Sequence, residues 1–359
     1  GGASCGGIRG ITQRRLLPQA GGCESGCLMC KGRLFPYTVL LAYCNFAKAS
    51  PPAAPHRLLA TSSAFSSTSG MASCSTRMSR CRGIMAKMTF SEGEDLMELA
   101  SCVIPPLTTG QSKGGAGRVA VIGGSEEYTG APYFAAFSAL KTGVDLAHVF
   151  CEKSAGTAIK SYSPELIVHP LLALKSSGAD PTEVEQGVSQ WIPRLDGLLV
   201  GPGLGRDELV VQTSASLITA AAERGTPIVL DADGLFILTS AVRSGGGDAV
   251  YARLLEALRG APLTITPNKV EFERLCKAMG LAEEGAFGRA PSLAPVVATR
   301  LGRHTVVVVK GPSDVITDGS ITVTCSEGGS PRRCGGQGDV LAGMLLAFRT
   351  WAHAAAAEE

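Results

Sequence analysis

Acidic side chains are almost missing from the first quarter of this 359-residue chain. Residues 1–90 hold eleven Lys or Arg and a single acid, Glu24. The rest carries 22 basic and 30 acidic residues, so the overall charge of +2 averages two unlike parts. An acidic folded part argues against a nucleic-acid partner, whose affinity comes from neutralised phosphates. Paired cysteine spacing is missing too. Seven of the twelve Cys precede residue 91, and Cys102, Cys151, Cys276, Cys325 and Cys334 are scattered like reduced thiols. Cys23, Cys27 and Cys30 copy an iron–sulfur spacing, but in a Gly- and Ser-rich tract with no strand–helix context to hold a cluster. No His/Cys group has zinc spacing, no Gly-x-Ser-x-Gly elbow supports a catalytic triad, and no P-loop exists. His148, His169 and His304 sit in or beside apolar runs and read as packed or surface imidazoles. No stretch reads as a transmembrane helix. Leu34 to Ala47 is apolar for fourteen residues with Pro36 inside it, short of the roughly 20 a span needs.

What residues 1–88 do have is Arg, Ser and Ala, the composition of an organelle transit peptide. They are expected to be a disordered targeting segment, removed on entry to a mitochondrion or plastid. The 34–47 stretch could act as a signal-type apolar region ahead of the Ser-rich 60–70 tract. A start at Met71, Met85 or Met88 would instead leave the protein cytoplasmic.

From residue 91 to 359 the texture is that of one folded domain. Residues 90–100 predict a short helix, stopped by Pro105 and Pro106. Apolar strand-like runs then alternate with helical patterns, which predicts an α/β fold with a central, mostly parallel sheet between two helical layers. The strands are predicted at 118–122, 146–150, 198–200, 228–230, 263–265 and 305–309, with a first helix at 130–141. The shorter, more polar 321–324 reads as an edge hairpin.

Ligands of such folds bind beyond the carboxyl ends of the strands. Polar residues collect there: Gly123-Gly-Ser125, Gly201-Pro-Gly203-Leu-Gly205, Asp231-Ala-Asp233, Thr266-Pro-Asn268-Lys-Val-Glu271 and Lys310-Gly311. The stretch that organises them comes last. Gly335, Gly336 and Gly338 form a turn running into an apolar helix, where free backbone N–H groups and the helix dipole favour an anion. Asp339 would repel that anion, unless its task is to take a proton from a hydroxyl attacking a phosphate. The alternative is an ordinary N-cap. Asn268 and Glu271 share one helix face, which suits Mg²⁺ held through water, although taken alone the pattern is more often a capping box. Arg332 and Arg333 could reach phosphate or simply be solvated.

Taken in order, these residues resemble the ATP-dependent (S)-NAD(P)H-hydrate dehydratases, a branch of the ribokinase-like superfamily. The resemblance covers about 105–350. Tyr128 to Ala136, Ser161 to Pro170, Val200 to Arg206, Leu230 to Leu235, Thr266 to Arg274, Lys310-Gly311 and Ser330 to Asp339 carry it. It implies a ribokinase-like three-layer fold and repair of hydrated reduced nicotinamide cofactors, NADHX and NADPHX, with ATP as co-substrate and Mg²⁺. Asp339 would be the base, with the Gly336 and Gly338 amides stabilising the transferred phosphoryl group. Ala131, Gly203, Asn268, Lys269, Val270, Glu271, Phe272, Glu273, Arg274 and Asp339 would face the hydrate. ATP would be held by Lys310, Gly311, Pro312, Ser313 and Asp314. Gly329, Ser330, Pro331, Arg332, Arg333, Cys334, Gly335, Gly336, Gln337 and Gly338 would complete that nucleotide site. Family members continue past this last helix, so part of one sheet face is expected to be missing here. Another ribokinase-like kinase and a non-catalytic nucleotide-binding relative stay open, as do a monomer and a homo-oligomer.

Overall fold

The computed structural model describes residues Ile11–Thr12, 103–110, 112–245, 247–326 and 332–357. Apart from Ile11–Thr12, the predicted targeting segment lies outside them, as does the helix expected at 90–100. Ten strands form one sheet. In chain order they are β1 (Ile11–Thr12), β2 (Arg118–Ile122), β3 (Leu146–Glu152), β4 (Ile167–Leu172), β5 (Gly197–Val200), β6 (Ile228–Leu230), β7 (Leu263–Ile265), β8 (Val306–Val309), β9 (Asp314–Thr317) and β10 (Thr322–Cys325). Their order across the sheet is β1-β10-β9-β8-β7-β6-β5-β2-β3-β4. The seven strands β2 to β8 are parallel, and β9, β10 and β1 follow antiparallel at one edge.

Nine helices are described: α1 (Gly130–Thr142), α2 (Ala155–Tyr162), α3 (Pro181–Ser189), α4 (Glu208–Glu223), α5 (Asp233–Ser244), α6 (Ala249–Leu258), α7 (Lys269–Ala278), α8 (Ala290–Leu301) and α9 (Gln337–Ala357). Because side chains alternate across a strand, Val119 and Val121 of β2 pack under α1, α2 and α9. Ala120 and Ile122 point the other way, into the core beneath α3 to α8. Both faces are therefore covered, and a central strand such as β8 can be four valines with no polar break.

Three strands have no counterpart among the predicted runs. β1 lies in the segment expected to be disordered, where Ile11 and Thr12 pair with Cys325 and Thr324 of β10. β4 contains Pro170, which cannot donate to a ladder and is tolerated because β4 is the sheet's edge. β9 is four residues long and begins at Asp314, so it was absorbed into the preceding turn.

α9 also departs from expectation. By length and composition it is the one helix among the described residues that could cross a membrane. Its apolarity has another use: Leu341, Leu345, Leu346, Phe348 and Trp351 are buried in the core against α1 and the sheet. Trp351 closes the far end by donating its indole N–H to the Ala116 carbonyl at 2.7 Å.

Candidate active site

The strand order reverses between β2 and β5, which opens a crevice beyond their carboxyl ends. Two loops meet there. The Gly124 amide lies 3.0 Å from the Pro202 carbonyl and 3.1 Å from that of Gly203. Gly203 sits against α1 so closely that a Cβ would fall 2.6 Å from the Tyr128 carbonyl and 3.2 Å from the Ala131 Cβ. The predicted substrate residues Ala131 and Gly203 are thus neighbours. Along the next strand end, Asp233 accepts from the Gly205 amide at 3.1 Å and from Arg206 Nε at 2.9 Å. Between Asp231 and Asp233, Ala232 holds φ +46°, the only non-glycine with positive φ among the described residues. Such a conformation costs about 1–3 kcal/mol and persists where surrounding structure imposes it.

The charged centre lies beyond β6, β7 and β8. Lys310 Nζ bonds Asp231 Oδ1 at 2.7 Å, and the Thr266 hydroxyl donates to the same oxygen at 2.8 Å. Both charged side chains are largely removed from solvent. Burial alone would lower the Lys310 pKa, but the combined attraction of Asp231, Glu271 and Asp339 raises it, so the ammonium stays charged. The first turn of α9 comes close to this pair. A Cβ on Gly338 would be 3.5 Å from Lys310 Nζ and 3.7 Å from Asp231 Oδ2. Asp339 stands in the first turn of α9. Burial, then the nearby Asp231 charge, pushes its carboxyl up to about 6, against the pull of Lys310 and its own backbone N–H. A cation, a helix N-terminus and a carboxyl of raised basicity therefore converge.

Gly336 shapes the approach to α9. Its φ is +89°, and a Cβ there would press to 2.9 Å from the Phe134 ring. Only glycine meets both conditions at low cost. Gln337 steadies the same turn by donating to the Arg332 carbonyl at 3.2 Å. Arg332, Arg333, Cys334, Gly335 and Gln337 are exposed at the rim, while Gly329, Ser330 and Pro331 lie outside the described residues.

Asn268 caps α7. Its Oδ1 accepts from the Val270 and Glu271 amides at 3.0 and 3.1 Å, and Glu271 Oε2 accepts from the Asn268 amide at 2.8 Å. This is the capping box of the sequence reading, and it leaves Glu271 Oε1 uncommitted by the cap. Burial raises the Glu271 pKa, helped by Asp231 and Asp233 and opposed by the Asn268 amide and Lys310. No group of three or more His, Cys, Asp or Glu with metal-binding geometry occurs among the described residues. This donor set would fit Mg²⁺ only through the ion's water shell.

Two expected contacts are placed otherwise. Phe272 is fully buried in the core, so its ring anchors α7 instead of facing a ligand. Asp314 is buried in β9, where its Oδ1 accepts from the Gly311 amide at 2.6 Å. It shapes the turn and leaves Pro312 and Ser313 exposed beside it. Lys269, Val270 and Arg274 are exposed and Glu273 is half-buried on α7. Asp231, Thr266 and Phe134 were not predicted as site residues. For Asp231 the signal was an acid directly after the apolar run Ile228–Leu230.

A family model described as Carb_kinase, NAD(P)H-hydrate dehydratase, matches residues 119–358. The chain belongs to this family. An ATP-dependent (S)-NAD(P)H-hydrate dehydratase of Bos taurus is 44% identical over 280 residues, covering 78% of each protein. One of Ciona intestinalis is 45% identical over 262 residues, 73% of this chain and 68% of that protein. A ribokinase-like superfamily protein of Enterococcus faecalis superposes with a TM-score of 0.51 at 20% identity, over 71% of this chain and 80% of that one. At that identity the likeness concerns the fold, which is ribokinase-like. Within the NAD(P)H-hydrate dehydratase family, the charged centre at α9 is where this chain concentrates groups suited to phosphoryl transfer.

Proposed function

We infer that the chain catalyses ATP-dependent dehydration of (6S)-NADHX and (6S)-NADPHX, restoring NADH and NADPH. The observation that carries the chemistry is Asp339, with a carboxyl raised to about 6, on the first turn of α9 beside Lys310 and Asp231. A base of that strength is ionised at neutral pH yet accepts a proton more readily than an ordinary carboxylate.

The proton of the ring hydroxyl passes to Asp339, its oxygen attacks the terminal phosphorus of ATP, and ADP leaves. The ring C–O bond then breaks with phosphate as leaving group. A proton is lost from the adjacent carbon, and the ring double bond returns. The hydration oxygen departs within the phosphate. Amides of the Gly336–Gly338 turn and Lys310 meet charge that develops on the moving phosphoryl group. Mg²⁺ entering with ATP would neutralise phosphate charge, with Asn268 and Glu271 addressing its waters. Ala131 and Gly203 line the side where the hydrate ring would lie. Cleavage of the basic residues 1–88 on delivery to a mitochondrion or plastid, which would take the two-residue β1 off the sheet edge beside β10, completes the reading.

The test is incubation with ATP and prepared NADHX. Recovery of the near-ultraviolet absorbance of reduced nicotinamide supports the assignment. Accumulation of a stable phosphate ester would replace it with an ordinary kinase, and ATP binding with no turnover would remove catalysis altogether.

A further inference from the structure

Four buried hydroxyls among the described residues have no hydrogen-bond partner in the protein: Ser125, Ser214, Thr264 and Thr305. Three lie away from the crevice. Ser214 is inside α4, Thr264 is in the middle of β7, and Thr305 precedes β8 at its amino end. Ser125 differs, because it follows β2 after Gly123 and Gly124, beyond the carboxyl end of that strand and at the point where strand order reverses.

Its backbone is fixed on both sides. The Gly124 amide meets the Pro202 and Gly203 carbonyls, the Gly124 carbonyl accepts from Glu152, and the Ser125 carbonyl accepts from the Tyr128 amide at 3.1 Å. Across the crevice, a Cβ on Gly205 would come within 3.5 Å of Ser125 Cβ and 3.8 Å of its Oγ. The Gly205 amide is already given to Asp233. Ser125 Oγ therefore sits among backbone groups that have partners, with none of its own. A buried hydroxyl without a partner costs folding about 1–3 kcal/mol. Such a group calls for an explanation, and at the carboxyl end of a strand beside a ligand crevice a bound molecule can supply it.

We propose that Ser125 is a substrate-positioning residue, whose hydroxyl bonds the carboxamide of the hydrated nicotinamide ring in the crevice between β2 and β5. This rests on the dehydratase reading. The hydrate carries two polar handles on its ring, the hydroxyl and the carboxamide. Asp339 takes the first, and Ser125, on the neighbouring wall with Ala131 and Gly203, takes the second. Fixing both ends of the ring holds the hydroxyl in line with the phosphoryl group.

The test uses the full chain and its Ser125→Ala and Ser125→Thr variants. KM for NADHX, KM for ATP, kcat and Tm are measured for each. Ser125→Ala should raise KM for NADHX about 5- to 100-fold, the range for an unmet polar group in a bound complex. KM for ATP should stay unchanged, and Tm should hold or rise, because an unpartnered group has been removed. Ser125→Thr, which keeps the hydroxyl, should restore most of the affinity. An unchanged KM for NADHX in Ser125→Ala overturns the assignment. So does a fall in Tm with both KM values rising together, which marks a purely structural role. Absence of turnover in the unmodified chain defeats the dehydratase reading and this proposal with it, whereas normal turnover with an unaffected variant defeats only the role of Ser125.

Discussion

Asp339 shows what placing one carboxyl in this crevice does. Its pKa is raised from 3.8 to about 6, so between those values the folded state binds protons that the unfolded state does not. Stability therefore rises as pH falls through this window, and the ionised carboxyl at neutral pH works against folding. Asp339→Asn should consequently melt at a higher temperature than the unmodified protein at pH 7. The same substitution should lower kcat about 10²–10⁴-fold with ATP binding retained, as for loss of a general base. Near-normal turnover would remove Asp339 from that role. The pH profile gives a second check: kcat/KM should fall about tenfold per unit below pH 6 as the base of the free enzyme becomes protonated. Asp339 and Lys310 were legible in the sequence because each directly adjoins an apolar element that fixes its place. Asp231 was not assigned to the site, since its partner Lys310 is 79 residues away and the two meet only once β6, β7 and β8 lie side by side.

At the scale of elements, the site depends on how closely α9 approaches α1. Gly343 is the point of contact. A Cβ there would fall 2.0 Å from the Ala135 carbonyl and 2.2 Å from Ser138 Oγ. Ser138 in turn donates to the Val340 carbonyl at 3.0 Å, one residue after Asp339. Gly343→Ala must push the helices apart at their crossing. It should destabilise the protein by about 1–3 kcal/mol, as overpacking does, measured by denaturant unfolding. Because the shift is passed to the first turn of α9, kcat should fall as well. Element type was readable wherever an apolar run was continuous, as in Val306–Val309, and hidden where an edge position relaxed the pattern, as with Pro170 in β4. Phe272 illustrates a different limit. A motif names a stretch of chain, while the helix that follows the Asn268 cap decides which of its side chains turn inward.

For the molecule as a whole, acid sensitivity should reside at the edge far from the charged centre. His148 Nδ1 and His169 Nε2 are 3.0 Å apart between β3 and β4, with Phe150 and Trp191 packed on His169. Burial, then the neighbouring His169, pushes the His148 pKa down to about 4. Burial, then Lys160, lowers that of His169. Both groups are held below the ordinary 6.5, so the unfolded chain takes up more protons as pH falls, for His148 in the interval between about 4 and 6.5. Stability is present above that window and is lost as pH falls through it. In the Asp339→Asn protein, where the opposing carboxyl is gone, a series of thermal melts from pH 7 to pH 4 should show Tm dropping, and adding His148→Phe should shrink the drop.

The opposite side of the crevice behaves differently. At Gly201 and Gly234 two backbones pass so tightly that a Cβ on either would land within 2.2 Å of the other's loop, 1.7 Å from the Asp231 carbonyl in one case and 2.2 Å from the Val200 carbonyl in the other. Neither segment has room to swing without dragging its neighbour. The hydrate therefore meets an unyielding floor there, made of main chain on main chain, while on the opposite bank Gly336 rides over the Phe134 ring, a side chain.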